Sequence, residues 1–593
     1  MADTFDYVIC GGGTCGPIIA GRLSEDQDAK ILILEAGKDS ANMENMDMAG
    51  AWTMNHEGET DWNIFTPPNP GLNGRTCHVP RGRFLGGSSG CNGTICVRGV
   101  KQDYDDWGLP EWSGDEMYRA MRKSETFHPQ EWFPEDKNAH GYDGPLHIEP
   151  APVGPLGELF LKSYQSKGLP YRPDMFSTGE TANGCGHAMR TTWQGYRTTA
   201  ADYVTKDHKR TNVTIKCDVT VDKVILERGA NGTLQAKGAE YENNDGDRFK
   251  AFARKEVIIT CGTYGSPAIL LRSGIGPKKD LEALGISCEV DLPGVGKNLQ
   301  DHQLIFIYYE LNQPGLTDDP RVNHDPDALE NGRKEWREKK TGWLATFPFG
   351  AFGFARLDDR LNAENAEWRG LPRQPDRDPM GLTSSQPNLE FFHTVCYGGP
   401  PEYTDFPKEG QFAFAMCCFL CGLQSRGEVK LKSADCRENP IVDHKYMSDK
   451  RDLLMMSEGV RFANEIVTTG AGTKDIIKGS WPPGAKHHLN KTNEDWHPFV
   501  QKYASTSYHP GGTCKMGRDD DDTAVVDSKL RVKGVQGLRV ADCSIMPTLH
   551  SGHTQMPAYG IGEKAAEFIR EASASSKARG NNHSEASPVQ ARL

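Results

Sequence analysis

The run Asp6-Tyr7-Val8-Ile9-Cys10, then Gly11-Gly12-Gly13-Thr14-Cys15-Gly16, then Pro17-Ile18-Ile19-Ala20-Gly21-Arg22-Leu23 decides the fold. An apolar strand enters a Gly-x-Gly-x-x-Gly turn and passes straight into a helix. A second apolar strand, Ile31-Leu32-Ile33-Leu34, ends on Glu35. In such a βαβ unit Gly11 permits the tight turn, Gly13 lets the backbone approach a pyrophosphate, and Gly16 allows close helix–strand packing. The helix start offers free N–H groups and the positive end of its dipole to phosphate. Glu35, roughly 20 residues on, is placed to accept hydrogen bonds from the adenosine ribose. The unit predicts a dinucleotide site, and taken alone it serves FAD and NAD equally.

Composition narrows the class. At 593 residues the chain is long for one core, so two structural units are expected. With 37% hydrophobic and 25% charged residues it reads as folded and soluble, not disordered. A net charge of −13 without a basic stripe gives no face for a phosphate backbone, so nucleic acid is not an expected partner. Met1-Ala2-Asp3-Thr4-Phe5-Asp6 lacks the basic and apolar regions of a secretory signal. The longest apolar run, Phe412 to Leu423, is too short to span a bilayer and reads as a buried strand. Sixteen cysteines without framework spacing fit free thiols. Cys418 and Cys421 form a CxxC with no second pair, so no metal site is expected.

Two further segments separate FAD from NAD. One is Arg81-Gly82-Arg83-Phe84-Leu85-Gly86-Gly87-Ser88-Ser89-Gly90-Cys91-Asn92-Gly93-Thr94-Ile95-Cys96. The other is Gly262-Thr263-Tyr264-Gly265-Ser266-Pro267-Ala268-Ile269-Leu270-Leu271-Arg272-Ser273-Gly274-Ile275-Gly276-Pro277. Both resemble the signature motifs of the glucose-methanol-choline (GMC) oxidoreductase family. Similar matches stand at Gly294-Val295-Gly296-Lys297-Asn298-Leu299-Gln300-Asp301-His302 and Val540-Ala541-Asp542-Cys543-Ser544-Ile545-Met546-Pro547, so the resemblance runs from about Phe5 to Ile569. It implies FAD as cofactor and a fold of the α/β class: a Rossmann-like FAD-binding domain with a second, α+β substrate domain built on an antiparallel sheet. It also implies cofactor contacts at Thr14, Arg83, Gly87, Ser88, Asn92, Gly93, Thr554 and Gln555, the Val219 backbone on the adenine, and Asp542 near the flavin-side phosphate or ribitol. The residues agree with it. A Gly-Gly-Ser-Ser loop has little bulk and can press its backbone on a flat ring, and Glu256 to Gly262 reads as another strand of the same parallel sheet.

One departure concerns the flavin. Some family members attach it through a histidine whose place is taken here by Cys91, and Cys96 stands where an aromatic residue or alanine is usual. A thioether at Cys91 and a small buried thiol beside a non-covalent flavin are the alternatives; acid precipitation separates them.

Two histidines resemble the family's catalytic pair: His509 in Ser507-Tyr508-His509-Pro510-Gly511-Gly512 and His553 in Ser551-Gly552-His553-Thr554-Gln555. Hydride transfer from a carbinol carbon requires removal of the hydroxyl proton, and imidazole has a pKa close to working pH. His509 is the expected base, His553 the group that orients the same oxygen, and His550 a nearby competitor for that role. The expected partners are a small alcohol or aldehyde and O2, with hydrogen peroxide as product. A quinone-reducing dehydrogenase is the near alternative. Cys421 to Gly427 also resembles light-driven fatty-acid decarboxylases of the same fold, in which an asparagine stands at the position of His509.

The expected division is an FAD unit over 1–155, 216–310 and 501–571, with the substrate unit over 156–215 and 311–500. Strands are expected at 388–392, 411–419 and 427–432, and a charged surface insertion near the entrance at 313–342. Residues 572–593, rich in Ala, Ser and Asn, are expected to be disordered. They end in Ala591-Arg592-Leu593, similar to the Ser-Lys-Leu address read by the peroxisomal import receptor, so a peroxisomal location is expected, otherwise a cytoplasmic one.

Overall fold

A computed structural model describes residues 3–346, 349–398 and 404–584. The opening strand, Asp3–Cys10, pairs in parallel with Ile31–Leu34 on one side and with the long strand Arg248–Ile259 on the other. Val213–Lys216 extends the parallel sheet beyond Ile31–Leu34, and Leu538–Val540 lies parallel to Val257–Ile259. An antiparallel meander, Val219–Arg228 and Leu234–Asn243, completes the sheet beside the first half of the long strand. Val8, Ile9, Ile31, Leu32 and Ile33 are fully buried, as a strand covered on both faces requires. The helix Cys15–Leu23 covers one face and packs against the C-terminal helix Gln555–Ser584. A Cβ at Gly562 would stand 2.9 Å from Ile18, so the glycine sets how closely the two helices approach. Arg22 closes that contact with a buried ion pair to Glu563 at 2.8 Å.

The second sheet is antiparallel, in the order Ile477–Ser480, Gln303–Leu311, Ala413–Leu420, Leu389–Thr394, Phe349–Ala355, Gly184–Gly186. Its central strands are mostly apolar, and their residues divide by alternation. Ile305, Ile307, Phe391, Met416 and Cys418 belong to the main core, and the helices Gly154–Ser166 and Lys450–Thr469 pack on the sheet. Leu304, Phe306, Phe352, Phe392, Cys417 and Phe419 form a separate aromatic cluster on the opposite face. The period of two therefore sends one set to the helices and the other to the site.

Several boundaries move. Val213–Lys216 already belongs to the parallel sheet, whereas Gln303–Leu311 and Ser505–Thr506 belong to the antiparallel one. Chain crossings follow strand pairing, which spacing along the sequence does not reveal. The strand expected at 427–432 narrows to Glu428–Lys430 and pairs only with Ile441–Asp443. The insertion is not a loop. It contains the helix Ala328–Lys339, whose buried Trp336 packs with Met48, Ala51, Leu344 and Ala345, while Arg337 pairs with Glu44. The C-terminal helix runs to Ser584, through residues expected to be disordered; Ala572 and Ala574 are strong helix formers that extend a helix already anchored by Phe568 and Ile569. Ala591-Arg592-Leu593 lies outside the described residues. Among those described, no helix is long and apolar enough to cross a membrane.

Candidate active site

One continuous cavity is lined from both sheets. Gly11, Gly13, Thr14, Glu35 and Val219 line one end; Gly87, Ser88, Cys91, Asn92, Gly93 and Asp542 the middle; His509, His553, Thr554, Gln555, Phe306, Phe349 and Phe392 the rest.

At the nucleotide end backbone geometry dominates. Gly11 has φ +108°, and a Cβ there would stand 2.6 Å from the Thr260 carbonyl. A Cβ at Gly16 would stand 2.2 Å from the Gly11 carbonyl, so this glycine serves packing and does not line the cavity. A Cβ at Gly13 would meet the Thr260 carbonyl at 3.7 Å, an ordinary contact, and Gly13 lines the cavity where a pyrophosphate would approach. The Glu35 carboxylate accepts from the Gly12 and Gly37 N–H groups, each at 2.8 Å, and burial pushes its pKa up to about 7. Ribose hydroxyls facing it would restore the solvation it has lost. The turn Gly87–Gly90 rests on this unit: Gly86 N–H donates to the Gly12 carbonyl at 2.7 Å, and a Cβ on Gly87 would meet Gly13 Cα at 2.8 Å. Asp542 accepts from Gly262 N–H at 2.9 Å, Ser544 N–H at 2.8 Å and Ser266 Oγ at 2.5 Å, tying the second glycine motif to the C-terminal one.

One expectation changes here. Arg83 does not line the cavity; its guanidinium lies 5.5 Å over the Trp62 ring. Gly16 is a packing residue, as above. Val219 lines the cavity, with its N–H engaged by the Glu35 carbonyl at 3.0 Å. Cys91 lines the cavity, and burial pushes its thiol up to about 11, which keeps it protonated and disfavours attack on a ring. Asn92 is held by Gln555, Arg197 and the Thr94 N–H.

At the other end the two histidines meet with ring centroids 4.7 Å apart. Each is oriented by a residue that sequence reasoning did not single out. His509 Nδ1 lies 3.2 Å from His302 Nδ1, leaving Nε2 as the ring nitrogen without a protein partner. The His509 backbone N–H donates to Asp301 at 2.8 Å, and Asp301 is held by Thr506 and Tyr446. His553 Nε2 lies 2.9 Å from Oε1 of the fully buried Glu390. A carboxylate only accepts, so His553 donates from Nε2 and presents Nδ1. Phe419 stacks on His553 at 5.4 Å and meets His509 at 5.5 Å.

Burial, then the facing His553, His302 and His550 rings and Arg81, hold His509 well below the ordinary histidine pKa. This departs from an expected pKa close to working pH. The causes are burial first and the facing histidines second, both of which exist only in the fold. His550 lies outside the cavity, fully buried and stacked on Tyr104 at 5.8 Å, with neither ring nitrogen hydrogen-bonded. Glu390 did carry a signal, as a lone acid in an apolar strand. His302 stood within a motif whose role was left open.

The GMC oxidoreductase family models match residues 5–304 and 424–562. The chain belongs to the GMC oxidoreductase family. It is 34% identical over 582 residues to an oxygen-dependent choline dehydrogenase of Pseudomonas fluorescens, covering 96% of this chain and 94% of that one. Among solved structures it is similar to a formate oxidase, 27% identical with TM-score 0.88, covering 97% of this chain and 99% of that one. It is also similar to pyridoxine 4-oxidase from Mesorbium loti, 27% identical with TM-score 0.78, covering 96% and 99%. The chain is thus an FAD-dependent oxidoreductase acting on CH–OH groups, with a Rossmann-like cofactor domain. The cavity fits that cofactor: the glycine turn at Gly11 and Gly13 lines one end, a buried acid faces the ribose position, and small residues line the middle.

Proposed function

We propose that the chain is an oxidase of primary alcohols or hydrated aldehydes, with O2 as final acceptor and hydrogen peroxide as product. The observation that carries the reading is the His509–His553 pair, with one partner-free nitrogen on each ring. FAD, when bound, supplies the hydride acceptor and passes the electrons to oxygen.

The chain's own residues handle the proton. Held neutral, His509 has a free lone pair at Nε2 when its Nδ1 donates to His302, so it takes the hydroxyl proton as the hydride leaves the carbon. Negative charge developing on the substrate oxygen raises the proton affinity of a buried imidazole at the moment it is needed. Glu390 keeps the His553 ring from turning, and a proton on Nδ1 as well as Nε2 is what would let that ring donate to the same oxygen. Phe306, Phe349 and Phe392 exclude water from the corner. The cofactor-facing roles of Gly13, Glu35, Gly87, Ser88, Asn92 and Asp542 belong to the same proposal.

The test is an anaerobic flavin spectrum with a panel of alcohols and aldehydes, followed by air. Bleaching with rapid recovery and peroxide is expected. Slow recovery assigns the electrons to a quinone acceptor, as in a dehydrogenase; no bleaching by any compound brings forward lyase chemistry. On the C-terminal Ala591-Arg592-Leu593 alone we also propose peroxisomal import through the receptor for such endings. Deleting Leu593 from a fluorescent fusion should abolish punctate localisation, and unchanged puncta would count against it.

A further inference from the structure

Among the residues that line the cavity, two are arginines and none is a lysine. Arg272 is neutralised in place: Asp222 lies 3.4 Å away, and the guanidinium also donates to the Asp222 and Val221 carbonyls. Arg81 has no such partner. Its Nη2 donates to the Tyr508 carbonyl at 2.8 Å and its Nε to the Pro80 carbonyl at 2.5 Å. Nη1 makes no protein hydrogen bond and keeps accessible surface. Among the described residues no carboxylate lies within 4.0 Å of the guanidinium. Acids in its surroundings are engaged elsewhere. Asp61 accepts from the Arg81 backbone N–H at 2.8 Å and pairs with His78 at 2.9 Å. Asp301 accepts from Tyr446, Thr506 and the His509 N–H.

Its neighbours on either side fix its place along the cavity. Tyr508, held by Nη2, directly precedes His509. On the other side, a Cβ at Gly82 would stand 2.6 Å from the Gly87 carbonyl, so Arg81 is set against the turn that lines the middle. The electrostatics agree. Burial raises the Cys91 thiol, and Arg81 is the largest charge opposing that rise. Burial and the facing imidazoles lower His509, and Arg81 adds to them. Its charge is thus felt from Cys91 to His509, between the small residues suited to a flat ring and the base that takes the proton. A cation on a cavity wall without a counter-charge favours an occupant that carries or acquires negative charge.

We propose that Arg81 raises the reduction potential of the bound flavin by serving as the counter-charge to its reduced form. A hydride carries two electrons and one proton, so its arrival leaves one extra negative charge on the ring, while the hydroxyl proton goes to His509. Arg81, permanently protonated, meets that charge without moving a proton of its own. The inference rests on FAD in this cavity alone; neither the identity of the alcohol nor the final electron acceptor enters it.

The test equilibrates the holoenzyme, Arg81→Gln and Arg81→Lys anaerobically with dyes of known potential, with no alcohol present, and reads the flavin spectrum. R81Q should disfavour the reduced form by about 10- to 100-fold, a midpoint about 30 to 60 mV lower at about 30 mV per tenfold for a two-electron couple. R81K keeps the charge and should stay within a few-fold of the wild type. Sulfite gives an independent reading, because it adds to oxidised flavin as an anion and leaves the ring negatively charged. It should bleach the wild type and bind R81Q about ten-fold more weakly. An unchanged midpoint in R81Q overturns the proposal. So does a fall in R81K as large as in R81Q, which would assign the effect to side-chain shape and not to charge. Absence of a sulfite adduct in the wild type also overturns it, and that measurement decides even if R81Q does not retain FAD.

Discussion

At the nucleotide end of the cavity the facing groups are backbone N–H groups and one carboxylate, and Gly12 and Glu35, which bind each other, stand 23 positions apart. At the histidine end the facing groups are side chains. His302 and His509 stand 207 positions apart, and Glu390 and His553 stand 163 apart. The first end is a local conformation: a glycine turn can be built by its own neighbours. The second is an assembly in which each ring nitrogen is assigned by a residue from another strand. The two ends should therefore fail differently when altered.

The largest effect belongs to the nucleotide end. Gly16→Val places side-chain atoms on the Gly11 carbonyl, where even a Cβ stands at 2.2 Å, and should yield protein without yellow colour. Retention of a full flavin spectrum would break the assignment of that turn to the cofactor. His509→Ala should behave in the opposite way, keeping the flavin and slowing its anaerobic reduction by about 10⁴-fold. In the wild type, His509 must be neutral to act, and its pKa is held well below 6.5 by burial and the facing imidazoles. The kcat/KM profile should stay flat as pH falls through 6.5 and drop only at lower pH. An acid limb centred at 6.5 would show that the cluster does not lower it.

Glu390→Gln keeps the side chain's length and removes its charge, so His553 is oriented less firmly. Flavin reduction should slow by roughly 10- to 100-fold, the equivalent of one charged hydrogen bond. An unchanged rate would make Glu390 a bystander. The smallest effect is on stability. Burial lowers the pKa of His550 to about 3, so the unfolded chain binds a proton there that the folded one does not. That contribution is fully present above about pH 6.5 and is lost progressively as pH falls toward the folded value, by about 2 kcal/mol at pH 5. Urea midpoints at pH 7 and pH 5 should separate less in His550→Asn than in the wild type.

Legibility followed the same division. The strand, turn and acid of the first 35 residues carried the cofactor domain, because an apolar run entering a glycine turn has few folded outcomes. His509 and His553 were legible through the residues around them, whereas His302 and Glu390 were not given roles. The helix over 572–584 was missed because serine and asparagine content was weighed above helix propensity and above the anchor supplied by Phe568 and Ile569; residues 585–593 lie outside the described ones. Residues 303–310 were expected in the FAD unit because a buried, mainly apolar strand suits a parallel or an antiparallel partner equally, whereas they pair in the antiparallel sheet.

By itself the sequence determined the dinucleotide turn, the family, the cofactor and the identity of the histidine pair, all of which depend on short contiguous patterns. Only the tertiary structure decided which ring nitrogen is free and why His509 stays neutral. Each of those depends on the distance between groups remote in the chain and on the low dielectric they share, and neither quantity exists before the two sheets close on the cavity.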